Sequence, residues 1–281
     1  MKNKVILTIA PTGNVPTKAM TPHVPVTPSE IAAQIYQCWQ LGAAVAHIHT
    51  RDKDGVPTSD IEANREVLAE LDKYPDCDII RQLSTGGRAG KTYMDRGQML
   101  CLAPDMASLA TGSSNFPSKA NLNDPETIGY LAGEMKKYNI KPEVEVFDSA
   151  MLFNAIQLAD KGVIDWPLQI NLVLGVPGSL PATFKNLFFL YEQLPANCTW
   201  SITAVGRDHV ELSTMALALG GNVRVGLEDN VYYSKGVLAT NASLLSRIKA
   251  IALAMGKEIA TPAEARQILQ LKNKIIGGGT K

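Results

Sequence analysis

Two histidines separated by a single residue, His47 and His49, stand in the run Ala46-His47-Ile48-His49-Thr50. On a strand, successive side chains point to opposite faces, so His47 and His49 share one face while Ala46 and Ile48 take the other. The imidazoles then sit about 7 Å apart along the strand, close enough to converge on one divalent cation. A catalytic metal site with an open position needs a third protein ligand. The run Asn222-Val223-Arg224-Val225-Gly226-Leu227-Glu228-Asp229-Asn230 offers one. With Val223, Val225 and Leu227 on its apolar face, Arg224, Gly226 and Glu228 must point the other way. His47, His49 and Glu228 would hold the metal and leave room for water or substrate. The competing reading is a pair of satisfied core or surface histidines.

Other polar residues fall in comparable places. In Glu143-Val144-Glu145-Val146-Phe147-Asp148, both glutamates lie on one face. An inward acid is costly unless it is paired or functional, and Arg224 is the obvious partner for Glu145. Asp229 could act as a general base beside a metal-polarised carbonyl, or simply cap a loop. Ser84-Thr85-Gly86-Gly87-Arg88-Ala89-Gly90 could bring backbone N–H groups against an anion, although glycine-rich turns are also ordinary loop punctuation. Ser108, the run Thr111-Gly112-Ser113-Ser114-Asn115, and Thr12-Gly13-Asn14 with Lys18 nearby add small hydroxyls and amides. Together they suggest a site for a small, oxygen-rich molecule. His23, in a proline-rich loop, and His209, at a helix start, read as local structure.

These residues need a frame that gathers strand ends. Eight short apolar or β-branched runs are expected as strands: Val5–Ala10, Ala43–Thr50, Asp78–Ser84, Met106–Thr111, Glu143–Phe147, Gln169–Leu174, Thr199–Val205 and Asn222–Leu227. Helical segments alternate with them near 28–41, 60–73, 91–101, 125–138, 149–161, 181–193, 208–219 and 241–255, with a further helix near 262–271. Thr27-Pro28-Ser29-Glu30 and Thr261-Pro262-Ala263-Glu264 carry an N-cap, a first-turn proline and a capping-box acid. Asp124-Pro125-Glu126 is a close variant. Strict alternation implies an α/β fold, a (β/α)₈ TIM barrel forming one domain over residues 1–281 and ending in a glycine-rich tail. An open, doubly wound sheet is the alternative. In a barrel the active site lies at the C-terminal ends of the strands. Closure would set strands eight and two on either side of strand one, bringing Glu228 to the histidines.

Composition narrows the function classes. The 281 residues suit an α/β barrel, and 46% hydrophobic against 19% charged residues is far from a disordered composition. A formal net charge of zero gives no electrostatic case for nucleic acid or an anionic membrane. Cys38, Cys77, Cys101 and Cys198 form no CxxC pair, which argues against zinc-ribbon, thioredoxin-type and disulfide frameworks. The apolar run Val5–Ala10 is too short for a signal-peptide core, and no run approaches the roughly 20 residues of a membrane span. A soluble, cytoplasmic protein is expected.

The sequence resembles the β-keto acid cleavage enzymes, among them 3-keto-5-aminohexanoate cleavage enzyme. Besides the histidine, Ser84–Gly87 and strand-eight motifs, the likeness runs through Thr12-Gly13, Pro25-Val26-Thr27-Pro28, Lys141-Pro142 leading into Glu143–Asp148, Val173-Leu174-Gly175-Val176, Lys235-Gly236 and Leu238-Ala239-Thr240-Asn241-Ala242. The resemblance implies a zinc-dependent acyltransferase that exchanges acyl groups between a β-keto acid and acetyl-CoA, yielding acetoacetate and a new acyl-CoA. It assigns zinc to His47, His49 and Glu228, the base to Asp229, charge support to Arg224 and orientation of that arginine to Glu145. Substrate contacts would fall on Asn14, Ser84, Gly87 and Ser108, and a homotetramer is implied. A metal-dependent hydrolase or aldolase, or a barrel that binds metal and metabolite without turnover, are the other readings. Nothing calls for a serine or cysteine nucleophile.

One position departs from the family pattern. Where the aminohexanoate enzyme carries an acid suited to an amino group, this sequence has Asn14. The substrate is therefore expected to lack that amine, its far end being neutral, or anionic and met by Lys18 or Arg88. Kinetics across a keto acid panel should show no preference for 3-keto-5-aminohexanoate; a strong preference for it over uncharged analogues would refute this.

Overall fold

The computed structural model describes residues 3–88, 92–117 and 119–271. Eight parallel strands close into a barrel: β1 (Leu7–Ile9), β2 (Val45–Ile48), β3 (Ile80–Leu83), β4 (Met106–Ala110), β5 (Lys141–Val146), β6 (Leu168–Leu174), β7 (Cys198–Ala204) and β8 (Asn222–Val225). Each pairs with its sequence neighbour, and β8 closes on β1 through Val223 against Leu7 and Arg224 against Thr8. This closure excludes the open sheet.

Among the described residues the helices are α1 (Pro28–Gln40), α2 (Ile61–Leu71), α3 (Tyr93–Gly97), α4 (Pro125–Lys137), α5 (Ser149–Asp160), α6 (Phe184–Tyr191), α7 (His209–Ala218), α8 (Asn241–Ala254) and α9 (Pro262–Ile268). Both threonine–glutamate capping boxes form, at Thr27 with Glu30 and at Thr261 with Glu264, and Asp124 caps α4 through the Thr127 N–H. Each cap satisfies amide donors that the first helical turn leaves free.

The two faces of the strands part as alternation requires. Leu7, Ile9, Ile48, Leu109, Val144, Val146, Ile170, Leu172, Ile202 and Val223 are buried in the core that joins barrel to helices. At the N-terminal end a smaller core gathers Ile6, Val45, Ile80 and Met106 with Ala265 and Leu269 of the α9 region. Higher up, the interior turns polar: His47, Gln82, Ser108, Glu143, Gln169, Asn171, Thr203 and Arg224 are all buried. Their mutual hydrogen bonds, such as Thr203 Oγ1 to Asn171 Oδ1 at 3.0 Å and Gln169 Nε2 to Glu143 Oε2 at 3.3 Å, offset part of the cost of burial. Gln82 Nε2, Glu143 Oε1, Gln169 Oε1 and Asn171 Nδ2 stay without a hydrogen-bond partner among the described residues.

Several expected boundaries shift for local reasons. Lys4–Val5 does not join β1 but pairs in parallel with Glu258–Ile259, beside the barrel. The expected helix near 91–101 is a short α3 followed by a 3₁₀ turn, Gln98–Leu102; its expected first residue lies outside the described residues, as does the tail at 276–281. Strand β8 stops at Val225 because Gly226 has φ +152° and passes hard against strand β1. A Cβ on Gly226 would lie 2.0 Å from the Ala10 carbonyl oxygen, a backbone atom with little freedom to withdraw. Gly226→Ala should therefore destabilise the protein by at least about 2 kcal/mol, read as a lowered urea midpoint. An unchanged midpoint would mean that the two strands can part there without loss.

Candidate metal centre and active site

The end of β2 brings His47 and His49 to the mouth of the barrel, their Nε2 atoms 3.2 Å apart. Glu228, just past β8, sets Oε1 3.2 Å from His49 Nε2 and 3.7 Å from His47 Nε2. One ligand atom from each lies within 4.8 Å of the others, and this is the cluster of metal-ligating side chains found among the described residues. His23 and His209 stand outside it, as expected. Close approach at Gly13 makes room for the glutamate, since a Cβ there would fall 2.3 Å from Glu228 Cγ.

The second nitrogen of each ring decides what the first can do. His47 Nδ1 lies 2.8 Å from Gln82 Oε1, and His49 Nδ1 lies 3.0 Å from Asn14 Oδ1. An amide oxygen only accepts, so each Nδ1 carries a proton and each Nε2 presents a lone pair. Burial, with the charge of Arg224, lowers His47 to about 3 and keeps the ring neutral. Two lone pairs and a carboxylate oxygen thus face one another with no proton between them. Glu228 Oε2 is buried without a hydrogen-bond partner. A cation is the group that satisfies this donor set, and two histidines with one glutamate match the open catalytic sites of zinc.

Arg224 stands beside the centre and holds three carboxylates. Its Nη2 contacts Glu228 Oε1 at 2.5 Å and Asp229 Oδ1 at 3.0 Å, its Nε donates to Asp229 Oδ2 at 3.1 Å, and Nη1 reaches Glu145 Oε1 at 3.5 Å. Burial works against its charge, yet Asp229, Glu228 and Glu145 hold its pKa above the ordinary value. Burial pushes Asp229 up to about 6 and Glu145 up to about 7, against the pull of Arg224. Glu228 is also buried, but Arg224 and the two histidines bring it well below the usual carboxylate range. Three carboxyl groups share one guanidinium, so their full ionisation exceeds its charge, and a bound cation would offset that excess.

A cavity of about 430 Å³ opens over this centre. Asn14, His49, Ser84, Gly86, Gly87, Arg88, Glu145, Arg224, Glu228 and Asp229 border it, and Val15, Met20, Phe116, Phe147 and Val173 contribute apolar wall. Of the residues expected to touch substrate, Asn14, Ser84 and Gly87 therefore reach the cavity. Ser108 does not border it: its Oγ accepts the Thr85 N–H at 3.2 Å and its carbonyl accepts Thr85 Oγ1 at 2.6 Å, fixing the loop above. Lys18 also lies elsewhere, paired with Glu30 at 2.9 Å.

Gln82 was not anticipated as the partner of His47, nor Asn14 as that of His49. The register could have revealed the first, because His47 lies directly across from Gln82 in the β2–β3 ladder and both face inward. Arg51 was likewise missed. Its Nη2 donates to the carbonyls of Gly13 and Pro16, at 2.8 and 2.7 Å, pinning the loop that carries Asn14.

Comparison with known proteins identifies the family. Residues 4–271 match the family model for the beta-keto acid cleavage enzyme. A relative in Fusobacterium nucleatum, a 3-keto-5-aminohexanoate cleavage enzyme, is 41% identical over 97% of this chain and 100% of its own. A 3-oxoadipate:acetyl-CoA acetyltransferase of Cupriavidus necator is 40% identical over 99% of both chains. Among solved structures, the ternary complex of ObcA with a C4-CoA adduct and oxalate superposes with a TM-score of 0.77 at 22% identity, over 90% of this chain and 68% of that one, a likeness of fold. The chain belongs to the β-keto acid cleavage enzyme family, and is accordingly an enzyme rather than a binding scaffold.

Proposed function

We propose that this enzyme exchanges acyl groups between a β-keto acid lacking an amino group and acetyl-CoA, releasing acetoacetate and a new acyl-CoA, with zinc as its metal. The observation that carries the reading is the convergence of two proton-free histidine nitrogens and Glu228 on one point beside the Arg224–Asp229 pair. Zinc held by His47, His49 and Glu228 would supply Lewis acidity to the oxygens of the keto acid.

The remaining work falls to the chain. Asp229 takes a proton from the carbon between the ketone and the carboxylate of the substrate; a carboxyl raised to about 6 is better matched to that task than an ordinary aspartate. Arg224 fixes Asp229 through two hydrogen bonds and offers positive charge while negative charge develops on the substrate. Glu145 positions Arg224 from β5. The carbanion forms a bond to the thioester carbonyl carbon of acetyl-CoA, and CoA leaves as its thiolate. That thiolate attacks the original acyl carbonyl, the bond between that carbonyl and the former carbanion carbon breaks, and Asp229 returns its proton to the acetoacetate carbanion. Ser84 and Gly87 are assigned to contacts with the keto acid and Asn14 to the cavity wall beside His49, whereas Ser108 acts through the Thr85 loop.

Three substitutions test these roles. His49→Ala should lose bound metal and acetoacetate formation together, by metal analysis and a coupled assay. Asp229→Asn should keep its metal while turnover falls by about 10²–10⁴-fold; nearly full activity would remove Asp229 as the base. Keto acid consumption that does not depend on acetyl-CoA would point instead to a hydrolase or aldolase. Separately, Gln82→Leu should weaken metal binding by about 10–100-fold in chelator competition, because His47 loses the acceptor that orients it. Wild-type affinity in that variant would show that packing alone sets the ring.

A further inference from the structure

Half-buried Arg88 differs from the buried arginines in having no acceptor among the described residues. Arg51 donates to three carbonyl oxygens, Arg96 to two carbonyls and Asn123 Oδ1, and Arg224 to three carboxylates. Among the described residues nothing plays that part for Arg88, and its Nε is buried without a hydrogen-bond partner. Its Cζ lies 4.5 Å from the centre of the Phe116 ring. This contact covers one side of the guanidinium but supplies no acceptor to the buried Nε, and no acceptor for the terminal nitrogens is found among the described residues. A half-buried cation in this state is costly unless a ligand brings an acceptor.

The place of Arg88 says which ligand. It borders the same cavity as His49, Glu228 and Asp229. Two residues earlier on its loop, a Cβ at Gly86 would lie 3.8 Å from His49 Cε1, and two residues of chain span at most about 7 Å. The cavity therefore has a metal-binding end and a cationic edge within reach of one small molecule, with Phe116, Val15, Met20 and Val173 as apolar wall. Arg224 already holds three carboxylates at the histidine end of the cavity, and Lys18 is held by Glu30 outside it.

We propose that Arg88 binds a second carboxylate at the far end of the keto acid, so that the substrate is a dicarboxylic β-keto acid with an apolar spacer. The inference rests on the acyl-exchange reading for the metal end of the molecule. A planar carboxylate fits the free edge of the guanidinium with two parallel hydrogen bonds. A phosphate of CoA could use the same fork, and the experiment separates the two.

The test compares 3-oxoadipate with 3-oxohexanoate, which share a six-carbon chain and differ in a terminal carboxylate against a methyl group. The wild-type enzyme should favour 3-oxoadipate by roughly 10–100-fold in kcat/KM. In Arg88→Met, which keeps bulk and removes charge, that ratio should fall to near unity through KM for 3-oxoadipate, with KM for acetyl-CoA at its wild-type value. No preference in the wild type, an equal loss for both keto acids in the variant, or a rise confined to the KM for acetyl-CoA would each overturn the proposal. Calorimetry of both acids with the zinc-loaded protein, without acetyl-CoA, separates the two readings. Binding discrimination that depends on Arg88, with no acetoacetate formed once acetyl-CoA is added, would uphold the arginine's role and reject the acyl-exchange reading.

Discussion

One guanidinium, that of Arg224, sits among Glu145, Glu228 and Asp229 in the mouth of the barrel and is the cation that pairs with all three acids. Ionised carboxylates withdrawn from water are tolerated only where opposite charge and hydrogen bonds are supplied on the spot. Arg224 gives each acid a different share. Asp229 receives two bonds that fix its plane; Glu228 receives one, leaving its carboxylate aimed at the histidines; Glu145 lies at the limit of contact, 3.5 Å away. One rigid cation thereby sets both the angle of the candidate metal ligand Glu228 and that of the proposed base Asp229. A lysine could deliver the charge but not the fork that reaches three acids in different directions.

The barrel interior accommodates this by dividing along its axis. Its lower part is apolar, Val45, Ile80 and Met106 closing against Ala265 and Leu269, and supplies burial without chemistry. Its upper part carries hydrogen-bonding groups that a stability argument alone would not place there. Gln82 holds His47, and Gln169 meets Glu143, whose carboxyl is pushed up by burial against the pull of Arg224. Polar groups packed in this way have few alternative partners, so the rings and carboxylates keep one arrangement. Close backbone approach completes the geometry at Gly13 and Gly226, where a Cβ would strike Glu228 and the Ala10 carbonyl respectively.

Alternation on strands made part of the inward set readable from the sequence: His47 with His49 and Glu143 with Glu145 share a face as their spacing requires, whereas Glu228 meets Arg224 from the turn after β8 and not by alternation along it. The eight-stranded barrel was equally legible, because the capped helices punctuate the strands. Partners supplied by other elements were not. Asn14 meets His49 across 35 positions of chain, and its role depends on the loop path that Arg51 fixes through two carbonyls. Strand ends were read too long where backbone geometry, rather than hydrophobicity, ends them: Leu227 continues the apolar pattern of β8, yet the turn at Gly226 has already taken the chain out of the ladder. The place of Ser108 was obscured for a related reason, since facing inward does not distinguish the cavity wall from the layer beneath it.

The histidine end and the far end of the cavity are held by different kinds of structure. His47 belongs to β2 and Arg224 to β8; His49, Glu228 and Asp229 follow directly on those strands, so their positions are tied to the barrel ladder. Arg88 and Phe116 stand on loops after β3 and β4, held by contacts such as Gly87 N–H to Asn121 Oδ1 at 3.1 Å. A change in those loops alters what meets the far end of a substrate without disturbing the charge balance around Arg224. Chemistry common to β-keto acids can then stay fixed while chain length and terminal charge are read separately, which is the division of labour a barrel with its site at the strand ends permits.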